Sequence, residues 1–392
     1  MNTGTRGRPA WANTALVSTA SLILAFAVAM VIMVVTDAEI MAKYAYFIAR
    51  PGDALDATFG KIGLTFEAMY VGSLGSVTAL TETTAEAAPL IAAGLGVALA
   101  FRAGLFNIGA QGQAVMGALV GAYLGFSIKG LPVLLHLPLV ILAGVLMGAL
   151  WGGVVGLIKA RTGAHEVILT IMMNYVAANI LSFLLKQPFM RQPGTSNPIA
   201  PVLEWSATLP RVAGTRLHLG FGLALLAALG CWWLLERTRF GLRLQAVGLN
   251  PDAAATAGTS VSRVTFTTMA LAGGLAGLGG LITVTAPVIL TSYPSQLTVS
   301  IIGTLGFDAI TVALLGRSRP IGVVLAGLLF GALKASRTAM VTIADTPKQL
   351  VDLIQALIVL LVAAPAFVTW LLPFLKERRR RVTRTVPKEA KA

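Results

Sequence analysis

Long apolar runs, separated by short clusters of charged and polar residues, recur along almost the whole chain. A run of about 20 apolar residues can cross the roughly 30 Å hydrocarbon core of a bilayer as an α-helix. The pattern therefore predicts an all-α, polytopic membrane protein with about ten transmembrane helices. They are expected near residues 13–36, 86–101, 108–126, 132–158, 166–185, 217–235, 264–287, 297–315, 320–340 and 349–372.

One further segment, residues 61–80, is apolar but interrupted by Glu67, Gly72 and Gly75. These residues weaken its pattern as a membrane span. We predict an interfacial helix or a re-entrant piece here.

Composition agrees with the apolar pattern: 56% of the 392 residues are hydrophobic and 12% are charged, against about 25% charged residues in soluble domains. The net charge of +14 raises the question of nucleic-acid binding. However, the charges lie between apolar runs without interleaved aromatic residues, so we expect a lipid bilayer as the partner and no nucleic acid.

The positions of the basic residues predict the orientation. If the N-terminus is cytoplasmic, most of the 30 lysines and arginines lie on the cytoplasmic side, as the positive-inside rule requires. This predicts a cytoplasmic tail over 1–12, a transmembrane domain over 13–372 with a cytoplasmic loop at 237–263, and a basic cytoplasmic tail over 373–392. The first apolar run exceeds the roughly 7 to 15 residues of a signal peptide, so we expect it to stay uncleaved.

Glycines recur every four residues within several spans. Gly144, Gly148, Gly152 and Gly156 share one predicted helix, and Gly273 and Gly277 share another. Such spacing lets helix backbones approach closely in a membrane, so tight helix packing is the expected role.

The strongest polar cluster is FRAGLFNIGAQGQ, residues 101–113, which contains Asn107, Gln111 and Gln113 together with three glycines. Non-helical backbone at membrane depth is tolerated only where protein or a water-filled cavity satisfies its amide groups. An interrupted helix here indicates either the translocation path or a packed hinge.

Asn174, Asn179 and Asp308 are the other costly polar groups within the predicted spans, and each must face protein or water. We predict that Asn107, Gln111, Gln113, Asn174 and Asp308 line the translocation path. For Asp308, a role at a helix N-terminus and a role in proton coupling are both open.

Residues 249–261, LNPDAAATAGTSV, carry the signals of a short helix outside the membrane. Asn250 can act as N-cap, Pro251 suits the first helical position, Asp252 complements the helix dipole, and Gly258 can end the helix. Ala253 and Ala254 would form its body. The segment is either a surface helix or an element that presses into a partner subunit.

No phosphate-binding loop, zinc-protease motif or hydrolase elbow occurs in the sequence. The three histidines are far apart, and the single cysteine, Cys231, excludes an intramolecular disulfide. We expect no enzymatic activity, no cofactor and no metal site.

FRAGLFNIGAQGQ and VGLNPDAAATAG resemble the permease subunits of the ABC importer family for nucleosides and simple sugars. AHEVILTIMMNYVA (164–177), typical of the nucleoside branch, and GFDAITVALLGRSRP (306–320) extend this resemblance over most of the chain. Ala255, Thr256 and Thr259 depart from the family pattern, which has longer or more apolar side chains there.

The resemblance implies a bacterial inner-membrane permease with two pseudo-symmetric halves. It implies assembly with a second permease subunit, two cytoplasmic ATP-binding subunits and an external substrate-binding lipoprotein. It further implies that Asn250 to Gly258 couples the permease to the ATPase. A nucleoside is the expected substrate. The alternatives are a simple sugar or a self-sufficient ion-coupled secondary transporter.

Overall fold

The computed structural model describes residues 10–286, 296–347, 349–363 and 365–371. Within these ranges the chain is a bundle of sixteen α-helices with one short 3₁₀ turn at Trp205–Ala207. The helices are α1 (Ala10–Thr36), α2 (Ala38–Tyr44), α3 (Pro51–Ser73), α4 (Val77–Arg102), α5 (Ala110–Ser127), α6 (Val133–Thr162), α7 (Glu166–Leu184), α8 (Leu219–Arg237), α9 (Arg239–Leu249), α10 (Pro251–Thr256), α11 (Val261–Thr285), α12 (Leu305–Leu315), α13 (Pro320–Ala335), α14 (Arg337–Ala344), α15 (Gln349–Ala363) and α16 (Pro365–Leu371).

Among the described residues, seven helical stretches are long and apolar enough to cross a membrane. The prediction of an all-α membrane protein is therefore confirmed, whereas the number ten is not. The seven stretches are Leu16–Thr36, Val77–Arg102, Val133–Thr162, Glu166–Leu184, Leu219–Arg237, Val261–Thr285 and Pro320–Ala344.

The other three predicted spans are helical but shorter or more polar. The span at 108–126 is α5, which carries two glutamines in its first turn. Only Leu305–Leu315 of the span at 297–315 is helical. The span at 349–372 forms two helices, α15 and α16. Residues 287, 372 and 373–392, as well as 1–9 of the predicted N-terminal tail, lie outside the described residues.

The segment 61–80 is not one element. Residues 61–73 form the second half of the longer helix α3, and residues 77–80 begin α4 after a turn. Lys61 in α3 forms an ion pair with Asp37 at 3.0 Å and donates a hydrogen bond to the Asp345 carbonyl. Eleven positions further along α3, Gly72 packs against the backbone of Ser336.

Helix α11 lies at the centre of the bundle against α4, α5 and α6. The predicted glycine packing is confirmed here: a side chain at Gly148 would clash with the Gly273 backbone, and one at Gly117 would lie 2.5 Å from Gly277 Cα. Close backbone approach gives the van der Waals contact that stabilises helix pairs in lipid.

Segments that the charge pattern places in the cytoplasm meet at one end of this bundle. The Arg102 side chain, at the end of α4, donates a hydrogen bond to the Ser318 carbonyl after α12. Gly248 of α9 packs directly on the Arg102 backbone. Residues 102, 237–263 and 317–319 therefore share one end of the molecule.

Candidate translocation and coupling site

The predicted interruption between 101 and 113 is confirmed, because the chain is non-helical from Ala103 to Gly109 between α4 and α5. The Asn107 amide donates to Gln113 Oε1 at 2.9 Å, and the Gln113 amide donates to Asn107 Oδ1 at 3.1 Å. Asn107 Oδ1 also accepts from the Gly109 N–H. Both side chains are fully buried, so they hold the turn and present no surface to a solute.

Asn174 joins α7 to the same non-helical segment and to the first turn of α5. Its Oδ1 accepts from the Gly112 N–H at 2.8 Å, and its Nδ2 donates to the Ile108 carbonyl at 2.9 Å. These bonds satisfy backbone groups that a broken helix would leave unpaired at membrane depth. Asn174 keeps part of its surface exposed.

Gln111 connects the first turn of α5 to the first turn of α12. Its Nε2 donates to the Gly303 carbonyl at 2.8 Å, and its Oε1 accepts from the Gly306 N–H at 2.7 Å. A side chain at Gly306 would clash with the Gln111 backbone. The N-termini of two helices thus meet inside the bundle, as in the broken helices of many transporters.

Asp308, in the first turn of α12, forms an ion pair with Lys334 of α13 at 2.6 Å. The Thr304 hydroxyl donates to the same carboxylate oxygen. Both charged side chains are 16% exposed, so the pair links two helices in a poorly solvated position. Lys334 was not predicted as a site residue; its signal was a charge within the apolar run 320–340, where Arg337 is the only other charged residue.

The short helix predicted after Asn250 is confirmed as α10. Asn250 Oδ1 accepts from the Ala253 N–H at 3.0 Å, Pro251 opens the helix, and Gly258 has a φ of +80°. The side chains of Pro251, Asp252 and Ala253 are exposed. Ala254 is 5% exposed and packs into a cluster with Val264, so it faces the permease rather than a partner.

Helix α9 precedes α10 and was not predicted. Its Leu244 and Val247 are buried, while Arg239 and Arg243 are exposed. Gly241 packs on the backbone of α8 and Gly248 on that of α4. This packing fixes the position of α10 at the end of the bundle. The two glycines are visible in the sequence, but their role depends on these contacts with α8 and α4.

Comparison with known proteins gives a consistent result. Residues 79–363 match the family described as the permease component of the branched-chain amino acid transport system. No solved structure matches the chain. One similar curated protein is the guanosine ABC transporter permease protein NupP of Bacillus subtilis (strain 168), 35% identical over 80% of this chain and 89% of its own length. The glucose ABC transporter permease protein TsgB13 of Haloferax volcanii is 35% identical over 76% of this chain and 80% of its own length. The nucleoside ABC transporter permease protein NupB of Lactococcus lactis subsp. cremoris is 32% identical over 79% of this chain and 86% of its own length.

The apolar helices and the broken helices at their centre define a multi-pass membrane protein of the transporter class. The family match covers most of the chain. The chain belongs to this family of ABC transporter permease components, and it is a membrane transport subunit, not an enzyme. ATP hydrolysis belongs to a separate ATPase.

Proposed function

We propose that this chain forms the translocation path for a nucleoside in an ATP-driven importer. The observation that carries the proposal is its similarity, over about four fifths of its length, to permeases named for guanosine and for nucleosides. A simple sugar is the second candidate substrate, because the glucose permease relative is also 35% identical.

The proposed assembly contains this chain, a second permease subunit, two cytoplasmic ATP-binding subunits and an external substrate-binding lipoprotein. We place it in a bacterial inner membrane with ten crossings, cytoplasmic tails at 1–12 and 373–392, and a cytoplasmic coupling loop at 237–263. The positive-inside pattern supports this topology. The meeting of α5 and α12 at their N-termini supports two related halves.

In the proposed path, the five predicted polar residues have two roles. Asn107 and Gln113 hold the non-helical turn, because they are fully buried and bonded to each other. Gln111, Asn174 and Asp308 keep some exposed surface and can meet water or substrate. Weak, exchangeable hydrogen bonds suit a passage that must also release its solute.

The proposed coupling element is the helix α10 with its cap, and its exposed residues meet the ATP-binding subunit. Replacing the exposed Ala255 by arginine should lower co-purification with that subunit and transport, while the melting temperature of the permease stays unchanged. Ala254→Arg is the matched control. Because Ala254 is buried, this variant should lower the melting temperature instead. Normal co-purification and transport in Ala255→Arg would contradict the assignment.

The substrate is tested by uptake in proteoliposomes that contain the permease, its ATP-binding subunits and its substrate-binding protein. We expect ATP-dependent uptake of labelled guanosine and uridine and little uptake of glucose. Uptake of glucose alone would select the sugar alternative. Uptake by the permease without its partners, driven by a proton gradient, would instead establish a secondary transporter.

A further inference from the structure

Helix α7 lies at the edge of the protomer. One side, which includes Thr170, Ala177 and Leu181, is buried against α5 and α6. The opposite side is exposed along the whole helix and carries Tyr175 and Asn179. In a single protomer this side has no covering helix within the described part of the chain.

Tyr175 and Asn179 are at membrane depth. At 1.5 Å per residue they lie about 13 Å and 20 Å along the helix from Glu166, which forms an ion pair with Lys159 at the end of α6. A spanning helix at this depth is within hydrocarbon. The Asn179 amide donates to the Tyr175 carbonyl at 2.8 Å, yet the side chain stays exposed.

An exposed amide is costly in hydrocarbon, so this face of α7 must meet water or protein rather than lipid. The buried side-chain amides of Asn107 and Gln113 at the centre of the protomer cannot bind a solute, because they form hydrogen bonds to each other. Together with the partly exposed Gln111, Asn174 and Asp308, the exposed face of α7 therefore offers polar surface to a solute.

The surface around these two residues has the chemistry of a small-molecule contact. A pocket of about 480 Å³ is lined by Met172, Tyr175, Val176, Asn179, Ile180 and Phe183. It combines aromatic rings with one amide, which has both donors and an acceptor. A flat base can stack on a ring, and the amide can pair with a base edge or a ribose hydroxyl.

We propose that the exposed face of α7 borders the substrate path between two permease subunits, and that Tyr175 and Asn179 contact the passing nucleoside. This inference rests on the proposed nucleoside function. Tyr175 stacks on the base, and Asn179 exchanges hydrogen bonds with it.

The test measures maximal uptake of labelled guanosine by the complete reconstituted importer. Tyr175→Ala should lower it about tenfold, since base stacking on an aromatic ring is lost, whereas Tyr175→Phe should stay within about twofold. Asn179→Ala should lower it roughly fivefold. Tyr70→Ala is the matched control, because Tyr70 on α3 is 61% exposed and Tyr175 is 64% exposed; it should transport normally.

A second measurement does not depend on transport. In a Cys231→Ser background, Asn179→Cys in the complete importer should react with a charged, water-soluble thiol reagent, and saturating guanosine should slow the reaction. Wild-type uptake in both alanine variants, or an unreactive thiol, would overturn this inference alone. Loss of the permease pair on size exclusion in both variants would also overturn it, since these residues would then be packing contacts. If the wild-type importer moves glucose but no nucleoside, the proposed function itself fails.

Discussion

At the scale of single residues, the two asparagines of α7 have different structural roles. Asn174 bonds to two backbone groups of another segment, whereas Asn179 bonds only within its own helix among the contacts described. Asn174→Ala leaves the Gly112 N–H and the Ile108 carbonyl unpaired, at about 1–3 kcal/mol each. We expect a clearly lower melting temperature of the purified protein in detergent for Asn174→Ala and little change for Asn179→Ala. Equal shifts would contradict this assignment.

The ion pair between Asp308 and Lys334 gives a second prediction at this scale. Removing one partner of a poorly solvated pair leaves a charge without compensation and costs about 3–5 kcal/mol. Lys334→Met and Asp308→Asn should therefore each lower the melting temperature, while the double variant should recover most of the loss. A double-mutant cycle measures this coupling. Additive effects of the two substitutions would show that the pair does not stabilise the contact between α12 and α13.

At the scale of elements, the contact between α6 and α11 depends on glycine. A side chain at Gly148 would meet the Gly273 backbone, whereas Gly230 on α8 has open space around it. Gly148→Ala should therefore separate the helices and lower the melting temperature in detergent. Gly230→Ala should leave it unchanged or raise it, since alanine favours helix by about 1 kcal/mol. A neutral Gly148→Ala would mean that α11 can shift without cost.

Elements differ in how much of them could be predicted from sequence. The signals for α10 lie within nine residues, from the Asn250 cap to Gly258, so the helix was predicted with its cap and end. The partner of Asp308 could not be found in this way, because Lys334 is 26 positions away and sequence spacing does not tell which helices touch. Helix α9 was not predicted because its arginines are typical of a charged loop. Its two glycines are explained only by their packing on the backbones of α8 and α4.

At the scale of the whole molecule, apolar runs predicted the class of protein, and seven of the ten predicted spans are long apolar helical stretches in the described part of the chain. The run 297–315 carries a single charge, Asp308, yet only Leu305–Leu315 of it is helical. Hydropathy reflects the free energy of transferring side chains into lipid and does not indicate where the backbone stops being helical. The sequence showed that Gln111 is a polar group that is costly to place in a membrane. Its bonds to Gly303 and Gly306 at the start of α12 depend on the tertiary fold and could not be predicted.

The orientation of the whole molecule gives the last prediction. The bundle brings residues 102, 237–263 and 317–319 to one end, and the positive-inside rule assigns that end to the cytoplasm.

Single cysteines in a Cys231→Ser background test this orientation, because Cys231 is buried and its replacement removes the only native thiol. Thr162→Cys and Ala257→Cys, both at exposed positions, should be protected from a membrane-impermeant thiol reagent in intact spheroplasts and labelled after lysis. Lys129 and Ala213 are exposed and lie in the segments that precede α6 and α8. Lys129→Cys and Ala213→Cys should therefore be labelled in intact spheroplasts. The reverse pattern would invert the topology and remove α10 from contact with a cytoplasmic ATPase.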